Sequence, residues 1–180
     1  MRKELLIGCG RRRDKLMYDQ SSPELSQWQG LVTLDINLDH SPDVCHDLTS
    51  LPYPFSDNEF DEIHAYEVLE HTGAQGDYRF FFAQWSEFYR IMKPNGLFFA
   101  TVPSWKSEWA WGDPSHTRVI QGASLSFLSQ AVYTRDVGST PMSDFRYLYK
   151  ADFDVVGLVE NEDTCRFALR AIKPSRLTCG

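Results

Sequence analysis

Short apolar runs separated by polar, turn-rich stretches dominate the first 103 residues. Leu5-Leu6-Ile7-Gly8-Cys9-Gly10 is apolar and ends in a glycine turn. Leu31-Val32-Thr33-Leu34-Asp35 ends in an acid, and Asp43-Val44-Cys45-His46-Asp47-Leu48 carries an acid at its end as well. Phe60 to His71 reads as a fourth strand running into a helix start. Leu97 to Val102 is a strand of the buried type, stopped by Pro103. Runs this short, bounded by turn residues, predict strands. Residues 77–92 predict the clearest helix, because Tyr78, Phe81, Phe82, Trp85, Tyr89 and Met92 recur on one face. Asp77 is placed to cap its start. Lys93-Pro94-Asn95-Gly96 ends it, since proline cannot continue the ladder and glycine accepts a positive φ.

Arg11 to Gly30 is polar and broken by Pro23, so a full amphipathic helix is not expected there. Ser22-Pro23-Glu24 opens at most one short helix, with serine as cap and proline in the first turn. Leu51 to Asn58 is a turn-rich connection. Residues 104–150 are less regular, and a helix over Ala123–Tyr133, capped by Gly122, is expected within them. Asp154–Glu160 and Arg166–Ile172 are two strands whose short link forces them antiparallel. The expected architecture is α/β: a Rossmann-like, mostly parallel twisted sheet with helices on both faces and an antiparallel C-terminal hairpin. One domain over 1–180 is expected. It divides into a cofactor half (1–103), a variable acceptor-side region (104–150) and a closing hairpin (151–173).

Composition narrows the function classes. Hydrophobic residues make up 42% of the chain, enough for a core, and no run approaches the roughly 18 apolar residues of a membrane span. The N-terminal apolar stretch is too short for a signal peptide. The cysteines at 9, 45, 165 and 179 show no metal spacing, and no metal site is expected. Cys9 and Cys45 fall at strand ends and read as reduced thiols, which points to a cytoplasmic location. The net charge of −7 is uneven: residues 35–70 hold ten acids and no Lys or Arg, whereas the first fifteen hold six Lys or Arg and two acids. The acidic stretch disfavours bulk DNA. Arg11-Arg12-Arg13 is either a solvated loop or a seat for one local anionic group.

Glycines after the first strand and carboxylates after the next two suit a nucleoside laid across the strand ends. Taken in order, the motifs Leu5-Leu6-Ile7-Gly8-Cys9-Gly10, Leu34-Asp35-Ile36, Asp47-Leu48-Thr49-Ser50-Leu51-Pro52-Tyr53, Phe60-Asp61-Glu62-Ile63, Val68-Leu69-Glu70-His71, Glu87 to Gly96 and Val102-Pro103 resemble a class I S-adenosylmethionine-dependent methyltransferase. The likeness is to small methyltransferase-like proteins with a Leu-x-x-Gly-Cys-Gly opening; it spans 4–103 and resumes at 151–173. It implies S-adenosylmethionine as cofactor, held by Gly8, Cys9, Gly10, Asp35, Ile36, Asp47, Leu48 and Glu67. Gly8 and Gly10 would admit the methionine part, Asp35 would accept from the ribose hydroxyls, and Asp47 would face the adenine amino group with Leu48 over the ring. For each aspartate the alternative is a turn or helix cap.

The chain departs from that family twice. The usual acid before the first glycine is replaced within Leu5-Leu6-Ile7, and the third glycine of the loop is Arg12. One of Arg11, Arg12 or Arg13 is therefore a candidate for the cofactor's carboxylate. A nicotinamide enzyme is disfavoured, because its fingerprint needs glycine where Arg13 sits. Methyl transfer needs alignment above all, plus a base when the acceptor is a hydroxyl or protonated amine. His116, in Asp113-Pro114-Ser115-His116, is the candidate base; alternatively Asp113 and His116 pin a loop. His71 reads as packing at a helix start. Trp105, Trp109 and Trp111 would wall an acceptor, pack in the core or present a partner surface. The expected acceptor is an O or N of a small molecule or of a partner-presented group. A non-catalytic scaffold subunit and an RNA or nucleotide methyltransferase are the alternatives. No Asn/Asp-Pro-Pro-Tyr/Phe and no Pro-Cys follows strand four, which disfavours the usual DNA amino and cytosine-C5 chemistries.

Overall fold

The computed structural model describes residues 2–177; Cys179 lies outside them. Seven strands form one sheet in the order β3-β2-β1-β4-β5-β7-β6. They are β1 (Glu4–Ile7), β2 (Leu31–Asp35), β3 (Val44–Cys45), β4 (Phe60–Tyr66), β5 (Met92–Pro103), β6 (Phe153–Glu160) and β7 (Thr164–Ala171). Strands β1 to β5 pair in parallel, while β7 pairs antiparallel with both β5 and β6. This is an α/β, Rossmann-like sheet with an antiparallel closing pair. Strands β1 and β4 sit side by side at its middle, so the chain order reverses between their carboxyl ends, where such sheets bind ligands.

Helix α1 (Tyr78–Ile91) packs on one face of the sheet, and Asp77 caps it by accepting from the Phe80 amide at 3.0 Å. Its Trp85 is fully buried, with its ring 4.9 Å from Phe98 of β5 and 6.4 Å from Phe167 of β7. The turn after α1 departs from the expectation. Asn95, not Gly96, takes the left-handed conformation (φ 63°), and the residues from Met92 onward already belong to β5. The expected helix over 123–133 is broken into α3 (Gly122–Leu125), a 3-10 turn (Ser126–Leu128) and α4 (Gln130–Asp136). Ser129 interrupts it in extended conformation and caps α4 through its hydroxyl, so Gly122 is the first helical residue rather than a cap. A single-turn α2 (Trp109–Gly112) precedes them.

The other face of the sheet is covered differently. Residues 11–30 cross it as an irregular segment whose regular element is a 3-10 turn, Pro23–Ser26; Ser22 precedes that turn without a side-chain capping bond. An ionic cluster fastens the segment. Lys15 is buried, with Nζ 2.7 Å from Glu62 Oε2 and 3.0 Å from Glu4 Oε1. Arg2 bridges the same two fully buried carboxylates from the rim. His64 continues the line up β4, bonded to Glu62 at 3.0 Å and to the Tyr66 hydroxyl at 2.7 Å, and that hydroxyl accepts the amides of Leu16 and Met17. Trp28 closes over Lys15 and His64. No helix among the described residues is long and apolar enough to cross a membrane.

Candidate functional site

At the carboxyl ends of β1 and β4 lies a cavity of about 360 Å³, lined among others by Gly8, Cys9, Gly10, Arg11, Arg12 and Glu67. That size falls within the roughly 300–1,000 Å³ of small-ligand sites. Two glycines shape it in different ways. Both have positive φ, 57° at Gly8 and 53° at Gly10. A Cβ on Gly8 would come within 2.7 Å of Val68 Cβ and closer still to its Cγ2, so this glycine serves close packing of the first loop on the turn after β4. A Cβ on Gly10 would meet nothing within 4 Å, so this glycine faces open space. Across the cavity Glu67 also has a positive φ, 52°, and its amide donates to Thr101 O. A non-glycine residue held in that region marks stored strain, common at functional sites.

The carboxylates after β2 and β3 are engaged by the protein itself. Asp35 is buried, and accepts the Gly10 amide at Oδ2 and the Asn37 amide at Oδ1, both at 2.8 Å. His40 Nδ1 stands 3.2 Å from Oδ1. Burial pushes the Asp35 carboxyl up, but the amides of Asn37 and Gly10 outweigh it and hold the group below the usual range. Asp47 accepts from the Thr49 amide and hydroxyl, the turn geometry that was its alternative reading. Leu48 is buried in the core, and Ile36 is 65% exposed beside Asp35. None of Asp35, Ile36, Asp47 and Leu48 lines the cavity at β1 and β4. Arg13, the third arginine of its run, reaches neither cavity nor solvent alone: its guanidinium donates to Gly10 O at 2.6 Å and His40 O at 2.8 Å, tying the first loop to the turn after β2. Arg11 and Arg12 remain on the cavity wall. Burial pushes the Cys9 thiol up, which keeps it protonated rather than nucleophilic.

A second group of polar side chains gathers just beyond β4. Its members are Glu70 and His71, on the 3-10 turn Leu69–His71, and His116, 45 residues further on. The loop returns because the Thr117 amide donates to Glu70 O at 2.9 Å and Arg118, buried, donates to Ala74 O and Asp77 O. The imidazoles meet edge to face with centres 4.7 Å apart. Glu70 is 2% exposed, and neither of its carboxylate oxygens has a hydrogen-bond partner among the described residues. Burial, with the negative charges of Glu67 and Asp113 adding to it, pushes its carboxyl up to about 8. Asp113 caps its own turn through Ser115 and stands 3.8 Å from His116 Nε2. His71, read from the sequence as packing at a helix start, is exposed at one edge and lies against His116 and Glu70. The tryptophans are no part of the core: Trp105, Trp109 and Trp111 are all exposed, and Trp109 O accepts from His116 Nδ1.

Residues 14–100 match a protein family described as a methyltransferase domain, a span that starts after the glycine turn and ends in β5. Among solved structures, a SAM-dependent methyltransferase from Archaeoglobus fulgidus superposes with a TM-score of 0.55 at 17% identity, covering 94% of this chain and 86% of its own. The putative methyltransferase of Haloferax volcanii, solved in complex with the Trm112 methyltransferase activator, gives 0.53 at 14% identity, with 95% and 83% covered. The [4+2]-cyclase SpnF gives 0.54 at 15% identity, with 94% and 74% covered. No curated protein sequence matches. These likenesses establish the fold. That one of them is named a cyclase shows why the activity has to be argued from the site.

Proposed function

We propose that this protein is an S-adenosylmethionine-dependent methyltransferase acting on an O or N of a small or partner-presented acceptor. The observation that carries the reading is the cavity at the β1/β4 switch point, open in front of Gly10 and walled by Arg11, Arg12 and the strained Glu67. The residues present fit the cofactor. Gly10 leaves backbone-close space for the methionine part, and Arg11 or Arg12 supplies the cation for its carboxylate. Asp35 fixes the Gly10 amide and thereby the loop; its remaining lone pairs are what a ribose hydroxyl would use. Exposed Ile36 offers an apolar surface beside Asp35 for the base. The bound cofactor supplies an electrophilic methyl group on sulfonium.

The chain's own contribution is alignment and the handling of one proton. Trp109 O accepts from His116 Nδ1, which leaves the Nε2 lone pair free to receive a proton from the acceptor. The exposed tryptophans beside it offer flat apolar area to the acceptor or to the protein presenting it. The test is turnover of labelled cofactor with a panel of small hydroxyl and amine acceptors and candidate partner proteins. His116→Ala is expected to lower kcat by about 100-fold with little change in cofactor affinity, as for loss of a general base. Equal turnover by His116→Ala and the parent would remove His116 from the reaction.

A further inference from the structure

The Glu70, His71 and His116 cluster has the composition and arrangement of a metal centre, and we propose that it binds one divalent first-row transition cation of the zinc type. One donor atom from each residue lies within 4.8 Å of the others. Both tautomers are fixed in the ligating form. His71 Nδ1 faces Ser115 O at 3.2 Å, and His116 Nδ1 faces Trp109 O at 2.8 Å. A carbonyl only accepts, so each Nδ1 carries the proton and each Nε2 presents its lone pair, the outer-shell arrangement that orients metal-binding histidines.

Glu70 is the independent observation. Its carboxylate is almost fully buried with both oxygens unpartnered among the described residues. The nearest charged or chargeable partner is His71, with Nε2 at 4.0 Å from Oε1, too long for a hydrogen bond. A buried carboxyl without donors is neutral or meets a cation, and both oxygens stand open to one here. Two imidazoles and one carboxylate suit zinc-type ions better than magnesium or calcium, which prefer all-oxygen sets. A bound ion at about 2.0–2.1 Å from each donor would draw them closer, and His71, on a short turn with an exposed edge, has room to move. Three protein ligands leave a position open, as in catalytic rather than structural sites.

The consequence for chemistry rests on the function proposed above, although the binding itself does not. In the metal-loaded protein the cation would lower the pKa of an acceptor hydroxyl in the open position and His116 Nε2 would be a ligand; the base role given to His116 above belongs to the metal-free protein.

Cobalt(II), added to the full chain after chelator treatment, is the probe. The expected result is one equivalent bound with visible d–d absorbance, displaced by Zn²⁺, and weakened by roughly 100-fold in His71→Ala and in Glu70→Gln. His71→Ala removes a half-exposed side chain, and Glu70→Gln keeps the shape, so folding is checked in each by circular dichroism. No saturating signal, or an affinity unchanged in both variants, overturns the proposal. So does a thiolate charge-transfer band abolished by Cys45→Ser, which would put the ion on the exposed cysteine. Titration with S-adenosylhomocysteine is run on the same samples. Cobalt bound without cofactor binding leaves the metal site standing and fails the methyltransferase reading; the reverse fails the metal site alone.

Discussion

Replacing Lys15 with methionine tests how the loop that carries Arg11 and Arg12 is held. Lys15 Nζ sits between Glu62 Oε2 at 2.7 Å and Glu4 Oε1 at 3.0 Å, and its side chain is only 2% exposed. Both carboxylates are fully buried. With Arg2 and Lys15 present, two anions meet two cations beside an uncharged His64, whose own proton affinity burial holds below the usual range. Methionine keeps the stem's volume and removes the charge, leaving one anion uncompensated. Breaking a buried pair in this way costs about 3–5 kcal/mol, and the remaining Arg2 argues for the lower end, about 3 kcal/mol. For a chain of this length that is a fall in Tm of roughly 6–12 °C. Urea unfolding followed by tryptophan fluorescence measures it. The deficit carries a signature: in the variant one carboxylate takes up a proton, so the difference from the parent shrinks by up to about 1.4 kcal/mol per pH unit as pH falls toward 5. Because Arg11, Arg12 and Leu16 of the cavity wall lie on the same loop, ligand affinity is expected to fall in parallel. A deficit below about 1 kcal/mol that does not change with pH would show that Lys15 does not compensate a buried charge.

Further predictions address the glycine turn, the strained glutamate and acid stability. Gly8→Ala collides with Val68 and forces an L-residue to positive φ, so a loss above about 2 kcal/mol is expected. Adding Val68→Ala removes the Cγ2 contact but leaves its Cβ at 2.7 Å, so it should recover only a fraction of the steric part, which a double-mutant cycle by thermal unfolding reads directly. Glu67→Gly relieves the strain at φ 52° and is expected to raise stability by about 1 kcal/mol while lowering methyl transfer. A destabilised Glu67→Gly would show that the conformation is relaxed. Acid should unfold the protein in two stages. His64 is kept neutral by burial, so stability declines as pH falls below about 6.5, where the unfolded chain takes up that proton. Burial pushes the Glu62 carboxyl up, but bonds from His64 and Lys15 prevail and hold it low, so its contribution is present above about 4.5 and is lost below that pH. His64→Phe should remove the first stage in a pH series of unfolding curves; an unchanged profile would contradict this assignment.

What could be read from the sequence follows from how local each determinant is. The strands and α1 are set by runs and periodicity within a few residues, and the short 161–163 link compels the hairpin. The helix over 123–133 failed because Ser129 offers a side-chain cap, which lets one periodic stretch break and restart. Asn95 rather than Gly96 is left-handed, and a Cβ at Gly96 would crowd Lys93 O and Asp61 O, so the glycine answers a close approach and not a dihedral. Within the candidate site, Gly8, Cys9, Gly10 and Glu67 come together at one cavity. Asp35 and Asp47 show the limit of reading carboxylates at strand ends, since backbone amides and a threonine hydroxyl compete for the same lone pairs. The ionic cluster left a faint signal in the alternation Glu62, His64, Tyr66 against Ile63 and Ala65, which places three polar groups on one sheet face. Nothing local marks Lys15 as their partner. The contact of His116 with His71 and Glu70 depends on the path of a 45-residue excursion, which periodicity does not encode.

The opening before Gly10 is the proposed seat of S-adenosylmethionine. Calorimetric titration of the full chain with S-adenosylhomocysteine, beside Gly10→Val, tests it most directly. A Cβ at position 10 meets no atom within 4 Å, and the positive φ costs an L-residue about 1–2 kcal/mol, so the variant is expected to fold, which circular dichroism checks, while its side chain enters the opening. One site with a Kd of about 10 µM or tighter is expected in the parent and no detectable binding in Gly10→Val. An absence of heat in the parent up to roughly 1 mM, or equal affinity in a folded Gly10→Val, would contradict it.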